Sequence, residues 1–276
     1  MRFCISIGQL DKSIIYPIIG GFACFISKLI ISQTDLANYP IILSVGSTFS
    51  MSLSFIFLII YHFKNNSNNI EVKKERISIK CMYLLLVSFL DFFETIIGNK
   101  YCKDVKINLW VFDLLLICLF SFFIFKIKIY SHHFLSIIII ILTSIILDSI
   151  EGSYADLFIN YAHILIKFIL EISISFDIII SKYIMERFNY SSYQMNFYEG
   201  CVGLFLYSIL FIASKSTKFF DDFFDKYNAF TIKDAILFFF FIIVKLIFNI
   251  FFLITIKNTT SCHFFIILIF YLIIIL

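Results

Sequence analysis

Six ionisable side chains lie inside long apolar runs of this sequence and are the residues with chemistry to offer: Asp91, Glu94, Lys167, Glu171, Asp177 and Lys245. A charge at the centre of a hydrocarbon layer costs roughly 2.5 to 3.5 kcal/mol, so each must find a partner, water or a task. Asp91 and Glu94 are three residues apart, which puts both carboxylates on one helical face. Lys167 and Glu171 are four apart and can form a local ion pair, with Asp177 further along the same run. Lys245 stands near the middle of another run. Two readings compete. Either the charges pair among themselves and lock helices together, or Lys245 or Lys167 attracts an anionic part of a substrate while a carboxylate such as Asp91 relays protons or receives a cationic group. Asp113 and Glu199 fall closer to the ends of their runs, where interfacial water is within reach, and Lys28 is expected to snorkel to the interface.

Other chemistry has little support. There is no HExxH, no nucleophile motif and no phosphate-cradling glycine loop. The seven cysteines, at positions 4, 24, 81, 102, 118, 201 and 262, form no CxxC pair, so neither a zinc site nor a disulfide framework is suggested. His132 and His133 follow Lys126 and Lys128 in a basic loop without further ligands, and His163 and His263 each stand alone. No metal, no cofactor and no enzymatic activity are expected. The net charge of +3 is spread over short loops, which argues against nucleic acid as a partner.

The elements that must position these charges follow from composition. Hydrophobic residues make up 61% of the 276 and charged ones 15%, too greasy a balance for a water-soluble fold. The apolar runs are unbroken, without the alternation of barrel strands, so the expectation is an all-α polytopic transmembrane bundle of about nine helices. The spans are placed at Ile14 to Ser32, Tyr39 to Tyr61, Ile79 to Gly98, Ile107 to Phe125, Phe134 to Asp148, Tyr161 to Ser181, Gln194 to Ser214, Asp234 to Ile256 and Cys262 to Leu276. The whole chain, 1–276, reads as a single transmembrane domain with the lipid bilayer as its first partner. Two readings are open for Pro17 with Gly20 and Gly21 in the first helix and for Gly200 with Gly203 in the seventh: a thinned or broken helix that serves as hinge or gate, or ordinary close helix packing, the commoner case. Lysine and arginine accumulate on one set of alternating loops, among them Lys64, Lys80, Lys126, Lys182, Arg187 and Lys257, which makes that face and the N-terminus cytosolic. Sequons at Asn65, Asn189 and Asn258 fall on the same face and are expected to stay unmodified. Plasma membrane, Golgi and other endomembranes are equally compatible with the sequence.

Four local patterns carry a family resemblance: YPIIGG at Tyr16 to Gly21, FFIFKIKIYSHHFLSIIII at Phe122 to Ile140, KYIMERFNYSSYQMNFYEG at Lys182 to Gly200 and NTTSCHFFIIL at Asn258 to Leu268. In their order the chain resembles the drug/metabolite transporter superfamily, especially its EamA-like and nucleotide-sugar-transporter-like solute carriers. That resemblance implies ten helices in two inverted five-helix halves, with the substrate near the midplane between them. Residues 14–148 would form the first half, and 161–276 a second, incomplete half of four helices that lacks the last one. A truncated gene product or completion by a second copy, as a homodimer, would account for the difference. The implied function is transmembrane transport of a small organic metabolite, a nucleotide sugar or other anionic solute, by alternating access. The alternative is a non-transporting membrane scaffold or partner subunit, and an intramembrane enzyme ranks below both. A polar central cavity reached by Asp91, Lys167, Glu171 and Lys245 would favour transport, whereas a dry interior of paired charges would favour the scaffold.

Overall fold

Isoleucine and phenylalanine are mediocre helix formers in water, but in lipid a backbone must satisfy its own hydrogen bonds, and a helix does so within one segment. The computed structural model of the chain follows that rule. It describes residues 7–32, 40–65, 77–101, 110–126, 161–214 and 231–258, with positions 135, 138, 139, 141 and 142, and among them there are helices and no strand. The helical segments are α1 (Ile7–Ser32), α2 (Pro40–Ser52), α3 (Phe55–Asn65), α4 (Ile77–Tyr101), α5 (Trp110–Phe125), α6 (Tyr161–Arg187), α7 (Ser192–Ser214) and α8 (Ile232–Asn258). Among the described residues four stretches are long and apolar enough to cross a membrane: Ile41–Ile60, Ile79–Gly98, Ser192–Ile212 and Ile232–Asn258. The expected ninth span, most of the fifth, and the histidines at 132, 133 and 263 lie outside the described residues.

The surface reverses the pattern of a soluble protein. Phe123 is 70% exposed, Ile212 71% and Phe205 64%, whereas Ser50, Ser54, Ser88 and Ser175 are fully buried. Apolar exteriors around small polar interiors suit a lipid surround, where close helix approach rather than hydrophobicity holds the bundle together. The α2 segment shows this best. Its Ser44, Ser47, Thr48 and Ser50 are buried, and the helix packs against α4, α7 and α8 at once. Around it, α1 lies along α8, α4 and α5 flank α6, and α4 also meets α7. One apolar cluster, built on Val87, Ile117, Ile179, Ile184, Met185, Met195 and Ile256, joins α4, α5, α6, α7 and α8. A smaller one, Leu43 with Phe241 and Ile242, fastens α2 to α8.

Among the described helices the break does not fall at Pro17. The first helix runs from Ile7 to Ser32 straight through Pro17, so that proline, with Gly20 and Gly21, does not interrupt it. The break falls in the second span, expected to be continuous, where α2 ends at Ser52 and α3 starts at Phe55. There the backbone tightens: Ser54 N donates to Met51 O at 3.0 Å and Ile56 N to Leu53 O at 3.1 Å, bonds to the third residue back instead of the fourth. Serine hydroxyls on the approach bond locally to the chain, Ser50 to Ser47 O at 2.5 Å and Ser52 to Phe49 O at 2.7 Å, the kind of competition that bends helices. The close approach expected at Gly200 and Gly203 is present. A Cβ at Gly200 would lie 2.7 Å from the Met51 carbonyl carbon and 2.8 Å from Ser52 Cα, and one at Gly203 would overlap Thr48 Cγ2.

Capping residues set where the helices around the site begin. Ser191 Oγ accepts from Gln194 N at 3.1 Å while Ser191 N donates to Gln194 Oε1 at 2.9 Å, a reciprocal cap that starts α7. Thr231 and Asp234 do the same for α8, with Asp234 N donating to Thr231 Oγ1 at 3.2 Å and Thr231 N to Asp234 Oδ2 at 3.0 Å. Between α6 and α7, Asn189 takes φ 56°, the left-handed conformation that asparagine tolerates better than most residues and that reverses the chain in a few residues. The other end of α8 is tied to this turn by Lys257 Nζ, which donates to Tyr190 O at 2.7 Å.

Candidate functional site

Six helices each turn a helically spaced stripe toward one cavity of about 440 Å³. From α1 come Cys24, Ser27 and Lys28, from α2 Ser47 and Met51, and from α4 Asp91, Glu94 and Thr95. Asp177 and Ser181 project from α6, Asn196 and Glu199 from α7, and Lys245, Phe248, Asn249 and Phe252 from α8. Spacings of three, four or seven residues within each set are those of one helical face. Met51 is the last residue of the second span on the cavity wall, and α2 ends at the next residue, Ser52. The volume falls within the roughly 300 to 1,000 Å³ of small-molecule sites.

Four carboxylates therefore share this space: Asp91, Glu94, Asp177 and Glu199. Glu199 is held by Ser181 Oγ, which donates to its Oε1 at 3.4 Å across the α6–α7 contact. Asp91 lies on α4 where Thr95 Oγ1 donates to the Asp91 carbonyl at 2.6 Å, and Ser44 Oγ reaches across from α2 to Thr95 O at 3.0 Å. These bonds fix α4 against α2 with the carboxylate turned inward. Lys245 packs over the Phe248 ring, 4.6 Å from its centroid, and is the charge that Asp91 feels most favourably. Asn249 Nδ2 donates to Ser50 Oγ at 3.4 Å and fastens the next turn of α8 to α2. Asn196 is 0% exposed, and its side-chain oxygen and nitrogen, like Asp177 Oδ1 and Glu94 Oε1, meet no hydrogen-bond partner.

Of the six ionisable residues singled out from sequence, the structure brings Asp91, Glu94, Asp177 and Lys245 together. Lys167 and Glu171 are elsewhere. They form a second cluster with Asp113 at the α5–α6 contact, where Ser175 Oγ donates to Asp113 Oδ1 at 3.2 Å and Lys167 acts on both carboxyls. Asp113 and Glu199, expected to reach interfacial water, are instead 7% and 5% exposed. Their helices turn them inward, and serines on α6 take up part of their hydrogen-bonding capacity. Lys28 does keep an exposed side chain, yet it stands at the cavity as well as at a span end. Sequence reasoning passed over Asn196 and Asn249. The signal available was their position: an amide three residues before Glu199, and another four after Lys245, share a helical face with charges already under suspicion.

Among the described residues no three His, Cys, Asp or Glu side chains converge as the ligands of one metal ion would. Neither a family model, nor a curated protein, nor a solved structure matches the chain.

Proposed function

We propose that this chain is a multi-pass membrane protein that carries a small organic solute across the bilayer by alternating access, using the cavity between α1, α2, α4, α6, α7 and α8 as its binding site. The observation that carries this reading is a cavity lined by four carboxylates and two lysines among apolar side chains, inside a bundle with an apolar exterior. Buried charges in lipid-facing proteins mark pathways or sites because their cost must be offset by something the protein needs. A scaffold would pair them and fill the space. Here Asp91, Glu94, Asp177 and Glu199 line a cavity instead, and the second span breaks beside it, the arrangement transporters use to expose backbone and side-chain dipoles to a solute. The proposal includes membership in the drug/metabolite transporter superfamily, supported by the local patterns of the sequence, with the N-terminus in the cytosol.

The test is uptake by purified protein in liposomes from a mixture of labelled amines, nucleosides, sugars, phosphorylated metabolites and nucleotide sugars. Uptake of at least one class above protein-free liposomes, lost in Glu199→Gln, is the expected result. Absence of uptake by monodisperse, cooperatively melting protein counts against transport and favours the scaffold.

A further inference from the structure

We propose that the solute is an organic cation, an ammonium group on an apolar or aromatic body, with its charge held among Asp91, Glu94, Asp177 and Glu199. The inference rests on reading the cavity as the solute site. Four carboxylates and two lysines line it, a formal balance of 2 − 4 = −2, and one of the lysines, Lys28, is exposed. The other lysine, Lys245, has Asp91 as its electrostatic counterpart. Asp177 is then left in the repulsive field of Asp91, while Glu94 and Glu199 each feel Asp177 and Asp91. Like charges crowded at low effective dielectric repel strongly, and the strain is relieved by protons or by a positive guest. Lys167, one of the two residues that made an anionic solute attractive on sequence, does not reach this space.

Asn196 points to the same guest independently. It is fully buried on the cavity wall with neither end of its amide bonded, and an orphaned buried polar group costs about 1 to 3 kcal/mol. An ammonium donates several hydrogen bonds, so it can satisfy the Asn196 carbonyl together with Asp177 Oδ1 and Glu94 Oε1, which also lack partners. Phe241, Phe248 and Phe252 on α8 also line the cavity and give apolar surface for the body of such a solute. A bare metal ion fits less well, since its ligands must converge within one coordination shell.

The experiment measures binding to the purified full-length chain in detergent, separately from transport. The probes are phenethylamine, putrescine and cyclohexylamine, set against phenylacetate, glucose 1-phosphate and UDP-glucose. Expected is saturable binding of at least one amine, weakened roughly tenfold to a hundredfold in Asp177→Asn and in Glu199→Gln, two isosteric changes made separately so that one folding failure leaves the other informative. Three results overturn the inference: folded protein that binds no amine, amine binding unchanged in both variants, or anion binding that depends on Lys245. Amine binding without uptake into liposomes supports the inference while removing the transport reading. Uptake of an anion without amine binding does the reverse.

Discussion

Single residues decide what the cavity can hold, and Glu199 shows how. Its carboxylate has one bond, from Ser181, and stands in the field of Asp177 and Asp91. Glu199→Gln keeps the shape and the hydrogen bond but removes one member of a repulsive set. Solute uptake is therefore expected to fall by roughly tenfold or more while the melting temperature holds or rises, because function and stability pull in opposite directions at such a site. A uniform loss of both would mean the carboxylate is structural. Lys257 makes the contrasting case. Its ammonium bonds Tyr190 O at 2.7 Å and lines no part of the cavity. Lys257→Met should cost about 1.5 kcal/mol of stability, the low end for a charged hydrogen bond because the group is part-exposed. Thermal unfolding in detergent reads that loss, with solute affinity unchanged. Of these residues the sequence exposes the charges and hides the amides. An aspartate in an isoleucine run is visible at a glance, but Asn196 lies in a mixed polar stretch, SSYQMNFYEG, where nothing in composition separates it from its neighbours.

Helices bring those residues into register, and the decisive contact is that of α7 on the broken second span. Gly200 lets α7 lie against the backbone of Met51 and Ser52 at the end of α2. Gly200→Ala puts a methyl group where backbone already stands, and overpacking of that kind costs about 1 to 3 kcal/mol. Gly98→Ala is the matched control. Its added carbon would meet Leu170 Cδ2 at 3.8 Å, ordinary contact, and alanine is the better helix former by about 1 kcal/mol. The first variant should melt lower and the second should melt no lower, and equal effects would show that α7 and α2 do not meet as described. Sequence placed most helix ends to within a few residues because the boundaries coincide with polar clusters: α7 was expected from Gln194 and begins at Ser192, and α8 was expected from Asp234 and begins at Ile232. Its largest boundary miss at the C-terminal end of a helix is α6, which continues past Ser181 to Arg187 because Lys182 and Ile184 are still buried against neighbours. Proline does not mark the break, for a physical reason. Pro17 lies in the interior of α1, and in membrane helices neighbouring helices and side chains re-satisfy the backbone group that a proline frees. The serine-rich stretch of α2 supplies competing hydroxyls in several successive turns.

At the scale of the molecule, charge is sorted by end as well as by depth. Lys80 lies over Phe188 at 5.4 Å, Arg187 stacks on Tyr183 and Phe188, and Phe125, next to Lys126, contacts Tyr183 at 6.1 Å. With Lys257 bonded to Tyr190, these basic residues gather around the α6–α7 turn at one end of the bundle. Loop counting along the sequence grouped the same residues on one face, and positive residues are retained on the cytosolic side. This end is accordingly expected to face the cytosol. Asn189 is exposed at the tip of the turn and already adopts a left-handed backbone, so Asn189→Cys offers a reporter there at a modest conformational cost. A membrane-impermeant maleimide applied to intact cells should label this variant no more than the parent chain, and should label it more strongly once the membrane is opened. Labelling in intact cells would invert the assigned sidedness without touching the cavity, because the carboxylates face inward whichever way the bundle is inserted. Detergent dependence tests the lipid surround itself. A surface bearing Phe123, Phe205 and Ile212 should keep the chain in the membrane pellet after alkaline carbonate washing and release it only with detergent. Release as a monodisperse species by carbonate alone would mean that water, not lipid, wets those rings, and the reason for calling an inward carboxylate costly would vanish with it.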